Sequence, residues 1–382
     1  MQAVILAAGA GTRLMPLTQT VSKPMLRIAN KPLLEWSIRS IQDFVDDIIV
    51  VVSRQEKDVQ EYFGHMSNVK FAIQEKQVGT ANAIQAAEKF IKDRFIVVNS
   101  DDFIHKDDIK KFTKLGGNAI GSFCVENPEN FGVLYTKGEK VTDIVEKPKS
   151  SKSNIVNCGL YLFNKSIFSA IRQTKLSQRK EYEITDSIKI LMKTEDFCSF
   201  KLSRWVTINY PWDLLDVNQF ILEEFGSMIS NDVEIRPGVH IEYPVAIGPG
   251  AVLGPNCFIR KYSSIGANCR VGQSVEIKNS IIMDNTFVSH LAYVGDSIIG
   301  RNCNVAAGVK FANLRLDEKN IFMKINSERI DTNHAKLGSI VGDNVKFGVN
   351  VTVMPGKKIN PGMLVPPCTI VKEDIEKQMP LK

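Results

Sequence analysis

Aliphatic residues recur at every sixth position from Ile235 through Ile241, Ile247, Leu253, Ile259, Ile265, Val271 and Ile277 to Met283. Small or aliphatic residues recur two positions earlier, as at Val239, Val245, Ala251 and Cys257. The period resumes at Val341, Phe347, Val353, Ile359, Val365 and Val371. A six-residue repeat of this length is the signature of a parallel β-helix, whose stacked coils bury the recurring side chain. Asn313 to Leu337 break the period and are expected to leave the coil as an excursion. The same period says which side chains point outward. Arg260, Lys278 and His290 each directly follow an inward position. Arg260 and Lys278 are 18 residues apart, three repeats or one coil, so they should stack on one face about 4.8 Å apart. Like charges so placed repel. Either the two side chains bend apart into water, or they hold an anion such as a sugar phosphate.

The first part of the chain has another texture. From Met1 to about Phe225, short apolar strands alternate with amphipathic helices. Strands are expected at Ala3 to Leu6, Ile48–Val52, Val69–Ile73, Phe95–Val98, Ala119–Val125 and Gly159–Phe163; helices at Leu33–Phe44, Thr80–Ile91, Ile184–Met192 and Trp212–Glu224. The alternation implies a mostly parallel sheet covered by helices, with ligands beyond the carboxyl ends of its strands. At 382 residues two domains are the default. The expected division is 1–225, a linker at 226–232, and the coil at 233–382. The fold class is therefore α/β: a Rossmann-like domain followed by the β-helix.

One turn in the first domain carries chemistry. Leu6-Ala7-Ala8-Gly9-Ala10-Gly11-Thr12-Arg13-Leu14 follows a buried strand, and Ser22-Lys23-Pro24 comes shortly after. Gly9 and Gly11 let an anion approach backbone N–H groups, and Arg13 and Lys23 add a fork-shaped and a point-charge donor. Leu14 stands where a dinucleotide fingerprint would need its third glycine, and the Gly-Lys-Ser/Thr of a P-loop is absent. A second strand end reads Asn99-Ser100-Asp101-Asp102. Carboxylates leaving a buried strand are costly unless solvated or bound to a cation. The readings are an Asp-rich turn or a Mg²⁺ site.

The first turn resembles that of the sugar-1-phosphate nucleotidylyltransferases, which have G-x-G-T-R-[LM] followed by K-P at this distance. The resemblance implies that Leu6, Ala8, Gly9, Gly11, Thr12, Gln74, Gly79 and Thr80 bind the nucleotide, UTP or dTTP. It implies that Arg13 holds the leaving phosphates and Lys23 the α-phosphate. Gly132, Glu146 of Glu146-Lys147-Pro148, and Asn157 of Asn157-x-Gly159 match the sugar-holding segments. Asp101 matches the Mg²⁺ ligand. The family's second metal residue falls on Thr207; Asn209, two residues on and on the same face of a strand, could supply the oxygen.

The coil is similar to the left-handed β-helix of hexapeptide acyltransferases. Ser289-His290-Leu291-Ala292-Tyr293-Val294-Gly295-Asp296, with Arg260 and Lys278 upstream and Asn304 downstream, resembles the acetyltransferase half of bifunctional N-acetylglucosamine-1-phosphate uridylyltransferases, in the archaeal pattern. That implies His290 as general base, and Arg260, Lys278, Tyr293, Asn304 and Lys336 as holders of the amino-sugar phosphate. An imidazole suits the role at neutral pH. The resemblance also implies acetyl-CoA as co-substrate and a homotrimer with coenzyme A lying between neighbouring coils. Three alternatives remain open: a nucleotidylyltransferase whose β-helix only assembles or regulates it, a non-catalytic regulatory subunit, which Thr207 and Ser100 keep in play, and an acetyltransferase whose nucleotidyl half is degenerate.

Composition narrows the setting. A net charge of +6 from scattered Lys and Arg suits small anionic substrates, with no basic run of the kind that binds nucleic acid. Seven cysteines, odd in number and without C-x-x-C spacing, read as free thiols in a reducing compartment. No segment approaches the roughly 20 apolar residues of a membrane span, so a cytoplasmic protein is expected.

Overall fold

The computed structural model describes residues 1–380; residues 381 and 382, the last of the expected coil domain, lie outside it. The chain condenses into two units, and they divide it unevenly. The first comprises Met1–Ala10 and Leu33–Thr207; the second comprises Gly11–Pro32 and the chain from Ile208 onward.

The first unit is built on a nine-stranded sheet. Val69–Gln74, Asp47–Ser53, Gln2–Leu6 and Phe95–Asn99 lie side by side and parallel. Their apolar runs, such as Ile48 to Val52, are buried along their whole length, as expected of strands covered on both faces. The helix Leu33–Ile41 turns Leu34, Ile38 and Ile41 inward at helical spacing. Parallel pairing puts the carboxyl ends of these strands at one edge. Leu6 pairs with Asn99, and Ser53 with Gln74.

The other half of the sheet differs from the expected parallel arrangement. Ile155–Phe163 runs antiparallel to both Phe95–Asn99 and Asn118–Cys124. Gly132–Lys137 and Lys140–Glu146 form a hairpin that the sequence reading did not contain. Gly138, with φ of 62°, lets the two-residue turn between them close. Gly132–Lys137 is buried only over its first three residues and Lys140–Glu146 only at Val141 and Ile144, so neither carries a long apolar run.

In the second unit the coil is a parallel β-helix with three seven-stranded sheets. Each two- or three-residue strand pairs with the strand one coil on, as Ile247 with Ile265 and Ile259 with Ile277. The recurring residues from Ile247 to Ile277 and from Val341 to Val371 form one continuous core. Ile235, on the open first coil, stays half exposed at 50%. The register slips twice, between Ile277 and Ile282 and between Val294 and Ile299. Ile282, not Met283, follows Ile277 as the inward anchor, because Ile265 pairs with Ile282. That corner has five residues instead of six. The excursion occurs where expected and contains the hairpin Phe322–Ile325 with Glu328–Asp331. All seven cysteines are free. Among the described residues, no helix is long and apolar enough to cross a membrane.

Candidate active sites

In the first unit, the carboxyl edge of the parallel strands gathers predicted nucleotide residues. Leu6 ends one strand, and Ala8 follows it with its carbonyl taking a hydrogen bond from Gln77 Nε2. Gln74 ends another, buried, its amide donating to Asn82 Oδ1 at 3.0 Å and to the Gly79 carbonyl at 3.3 Å. Gly79 has φ of 117°, and a Cβ there would stand 2.6 Å from the backbone nitrogen of Tyr182, so no other residue fits. Thr80 opens the next helix, and its hydroxyl accepts the Ile184 N–H at 3.1 Å. Gly9 is exposed on the turn.

Three predicted sugar residues converge although they come from three strands. A Cβ on Gly132 would lie 3.1 Å from Glu146 Oε2 and 3.5 Å from Asn157 Nδ2. Asn157 donates to the Tyr161 hydroxyl at 2.6 Å and accepts the Gly159 N–H at 3.1 Å. Burial raises the pKa of Glu146, and the neighbouring Glu183 raises it further; Lys147 and Arg179 oppose this. Arg179 reaches both Glu146 at 3.2 Å and Glu183 at 3.3 Å. Sequence reasoning missed Arg179. It sits in the polar stretch between two helices, where no spacing or motif marks it.

At the end of Phe95–Asn99, Asp101 is partly exposed and Asp102 is buried. The carboxylate of Asp102 is already occupied. Its Oδ1 accepts Trp205 Nε1–H at 2.9 Å and its Oδ2 accepts Asn99 Nδ2–H at 2.8 Å. Thr207, directly opposite on the antiparallel strand Trp205–Thr207, donates its hydroxyl as well. A cation in this turn would therefore be offered Asp101. One carboxylate plus substrate phosphates is a donor set that Mg²⁺ accepts. Among the described residues, no group of three or more His, Cys, Asp or Glu could hold a metal without such help.

Burial, and then the charge of Asp101, push Asp102 up from 3.8 to about 7. An acid raised in the folded state favours folding fully below its unfolded pKa, and that contribution is lost as pH rises through the folded one. Asp102→Asn is expected to flatten the fall in urea-unfolding free energy between about pH 4 and pH 8. An unchanged slope would show that Asp102 ionises as freely as in an unfolded chain.

The second unit holds the rest of the phosphate turn. Thr12 to Leu14 form one turn of 3-10 helix, with Arg13 exposed and its guanidinium 5.9 Å from the centre of the Tyr210 ring. Lys23 begins another such turn, and its Nζ donates to the Ile208 carbonyl at 3.2 Å. Asn209 lies beyond the strand, which ends at Thr207, so strand alternation does not reach it. Its backbone N–H, with that of Tyr210, donates to Asp213 Oδ2 at the start of the helix Asp213–Phe225.

On the coil, Arg260, Lys278 and Tyr293 belong to one sheet and share its outer face. The stacked cations neither bend apart nor wait bare for an anion: each has a carboxylate. Arg260 lies between Glu242 at 3.4 Å and Glu276 at 3.3 Å, and Lys278 meets Asp296 at 3.1 Å. Asp296 also accepts from Asn279 at 2.8 Å and from Asn313. Burial raises the pKa of the Tyr293 phenol, whose oxygen lies beside Asn313. Asn313 and Asp296 complete this polar cluster; the His-Leu-x-Tyr-x-Gly-Asp spacing pointed to Asp296, and Asn313 begins the excursion.

His290 is exposed at the corner between the second and third sheets. The five-residue corner places it two residues after the inward Val288 rather than one. Its Nδ1 accepts the Gln273 N–H at 3.1 Å, so the neutral ring carries its proton on Nε2. The next residue, Leu291, is left-handed at φ 59° and 63% exposed. Most residues in that corner slot are Asn or Gly, and a leucine held there marks a constrained site. Asn304 lies on the neighbouring sheet, away from Tyr293. Lys336 is exposed and bridges to Leu314 as the excursion returns.

Comparisons with known proteins cover both parts of the chain. The nucleotidyl transferase family matches residues 2–224, and the GMPPB C-terminal domain family matches residues 241–360. A Methanocaldococcus jannaschii protein named bifunctional protein GlmU is 40% identical over 98% of this chain and 96% of its own. A Sulfurisphaera tokodaii protein named bifunctional sugar-1-phosphate nucleotidylyltransferase/acetyltransferase is 35% identical over 98% of each chain. Among solved structures, a candidate glucose-1-phosphate thymidylyltransferase from Bacillus anthracis is 28% identical, with a TM-score of 0.53 over 58% of this chain and 94% of that one. With full-length identity at this level to proteins of one kind, the chain belongs to the GlmU-type family of bifunctional sugar-1-phosphate nucleotidylyltransferases/acetyltransferases.

Proposed function

We propose that this chain makes an N-acetylated sugar nucleotide by two reactions. It is a nucleotidyltransferase and an acetyltransferase, acting on an amino-sugar 1-phosphate with acetyl-CoA and an NTP. The observation that carries this is the full-length similarity to two-activity proteins, which spans both the phosphate turn and the His290 corner. Residues 1–225 would supply the first chemistry and 233–382 the second.

In nucleotidyl transfer, a sugar 1-phosphate oxygen attacks the α-phosphorus of UTP or dTTP, and pyrophosphate leaves with the electron pair of the broken P–O bond. Positioning and charge neutralisation carry the barrier. Arg13 holds the departing phosphates, Lys23 the α-phosphate, and Gln74, Gly79 and Thr80 the base. Gly132, Glu146 and Asn157 hold the sugar. Mg²⁺, when bound, would add positive charge at the phosphates; Asp101 is its carboxylate here, with Asn209 as the second oxygen.

In acetyl transfer, the 2-amino nitrogen attacks the thioester carbonyl, the C–S bond breaks, and the amine proton passes to His290. Nδ1 must release the Gln273 N–H before it can take that proton. Arg260, Lys278 and Tyr293 hold the substrate phosphate and ring, and a phosphate there would compete with Glu242, Glu276 and Asp296. Asn304 stands on the neighbouring sheet, and Lys336 pairs with Leu314 beside Asn313. A homotrimer of left-handed coils would offer a neighbour's surface to them and to coenzyme A. Seven free thiols suit a reducing, cytoplasmic setting.

The test is a paired assay on one preparation. Coenzyme A thiol release is followed with glucosamine-1-phosphate or galactosamine-1-phosphate, and pyrophosphate release with the N-acetylated sugar phosphate, UTP or dTTP, and Mg²⁺. Both activities are expected. Pyrophosphate without thiol release from either amino sugar would reduce the β-helix to a scaffold, and thiol without pyrophosphate would mean that Thr207 marks a lost metal site.

A further inference from the structure

We propose that one corner of the β-helix positions the loop carrying Arg13 and Lys23, making the coil a working part of nucleotidyl transfer. The proposal rests on the phosphate-binding roles given to those two residues. The loop Gly11–Pro32 belongs to the coil's unit, whereas the strand it follows belongs to the other. Its ties fall at a single corner. Asp284, Arg301 and Asp343 each lie two residues beyond strands of one sheet, and the anchors Ile282, Ile299 and Val341 are stacked in register.

Both aspartates divide their oxygens in the same way. Asp284 Oδ1 accepts the Ala267 N–H of the preceding corner at 2.8 Å, and its Oδ2 lies 3.3 Å from Arg27 Nε on the loop. Asp343 Oδ1 accepts the Arg301 N–H at 2.7 Å, and its Oδ2 accepts the Thr20 hydroxyl at 2.8 Å. Arg301 grips that same oxygen and reaches the Thr20 carbonyl at 3.4 Å. The coil alone does not require charges here. On other coils of this sheet the same slot holds Pro249, Ala267 and Pro361.

The ties extend to the phosphate residues through close packing. Gly11 is left-handed at φ 64° and tightly packed: a Cβ would stand 3.0 Å from Lys23 Cβ and 3.1 Å from Thr18 Cγ2. Thr18 donates to the Gly11 carbonyl at 2.8 Å. A second pin holds the loop's other end. Asn218, fully buried in the helix Asp213–Phe225, accepts the Ala29 N–H at 3.0 Å and the Ser264 hydroxyl at 2.6 Å, and donates to the Tyr262 carbonyl at 2.7 Å. Lys23 thus lies between loop residues anchored to the coil on both sides, Thr20 and Arg27.

The test uses the full-length chain carrying Thr20→Val with Arg301→Gln, and separately Thr20→Ser. Pyrophosphate and thiol release are measured on each preparation. The double variant is expected to lose roughly tenfold in kcat for pyrophosphate release, with KM for UTP or dTTP within about twofold and thiol release unchanged; misplacing catalytic groups has effects of this order or larger. Thr20→Ser, which keeps the hydroxyl, should match the wild type. Unchanged pyrophosphate release in the double variant, or thiol release falling in step with it, would overturn the proposal. Arg13→Ala and Lys23→Ala are run alongside. If both retain full pyrophosphate release, the phosphate-binding premise itself has failed, and the positioning role fails with it.

Discussion

Replacing His290 with alanine is expected to lower acetyl transfer by about 10²- to 10⁴-fold, the range for loss of a general base. Pyrophosphate release from the N-acetylated substrate should be untouched. His290 stands on an exposed corner with its Nδ1 against the Gly272–Gln273 backbone, so its removal opens no enclosed cavity. The hydrogen bond from Gln273 makes a sharper variant available. The repeat places Gln273 in the slot held by Pro249 and Pro255, so Gln273→Pro fits the turn while removing the N–H that occupies Nδ1. Thiol release that holds or rises in Gln273→Pro would show Nδ1 to be the proton acceptor. A loss as deep as that of His290→Ala would show instead that the N–H is needed to orient the ring. Acetyl transfer surviving His290→Ala would remove the role altogether.

Asp101→Ala should have the complementary effect. Pyrophosphate release is expected to fall by about 10²- to 10³-fold, the scale of losing one preorganised electrostatic group at a phosphoryl centre, while thiol release persists. The carboxylate next to it cannot substitute, because Trp205, Asn99 and Thr207 already hold both oxygens of Asp102. Raising Mg²⁺ in the assay should recover part of the activity if Asp101 only binds the ion. Activity equal to wild type at every Mg²⁺ concentration would mean that the cation is held elsewhere.

Much of this was legible in the sequence where side-chain period maps directly onto geometry. The six-residue spacing identified the coil, its core and the excursion, because each inward position is buried by the next coil. It misassigned Met283 because the five-residue corner after Ile277 leaves no mark in a pattern of aliphatics where Ile281, Ile282 and Met283 all qualify. The parallel strands were readable as apolar runs. The hairpin Gly132–Lys137 with Lys140–Glu146 was not, since its buried positions are few: three at the start of one strand and two in the other. Motifs located Gly132, Glu146 and Asn157, and the fold brings them together. Arg179 toward Glu146, Asn313 toward Asp296 and Asp343 toward Thr20 act across longer stretches of chain, which local spacing cannot reveal. The allegiance of the loop Gly11–Pro32 was hidden for the same reason: the residues that grip it belong to a different repeat pattern.

The tie between Thr20 and Asp343 spans 323 residues. During synthesis, the coil can add strands as they emerge, since each pairs only one turn back, as Ile259 does with Ile277. The phosphate turn cannot settle on the same schedule. It leaves the ribosome among the first segments and waits for nearly the last coils before the last of its anchors exists, an interval of roughly 16–65 s at typical elongation rates. A nascent chain stalled before Asp343 should therefore already bury much of its repeat core while the loop remains open to protease, and the nucleotidyl half would mature only when the chain is almost complete.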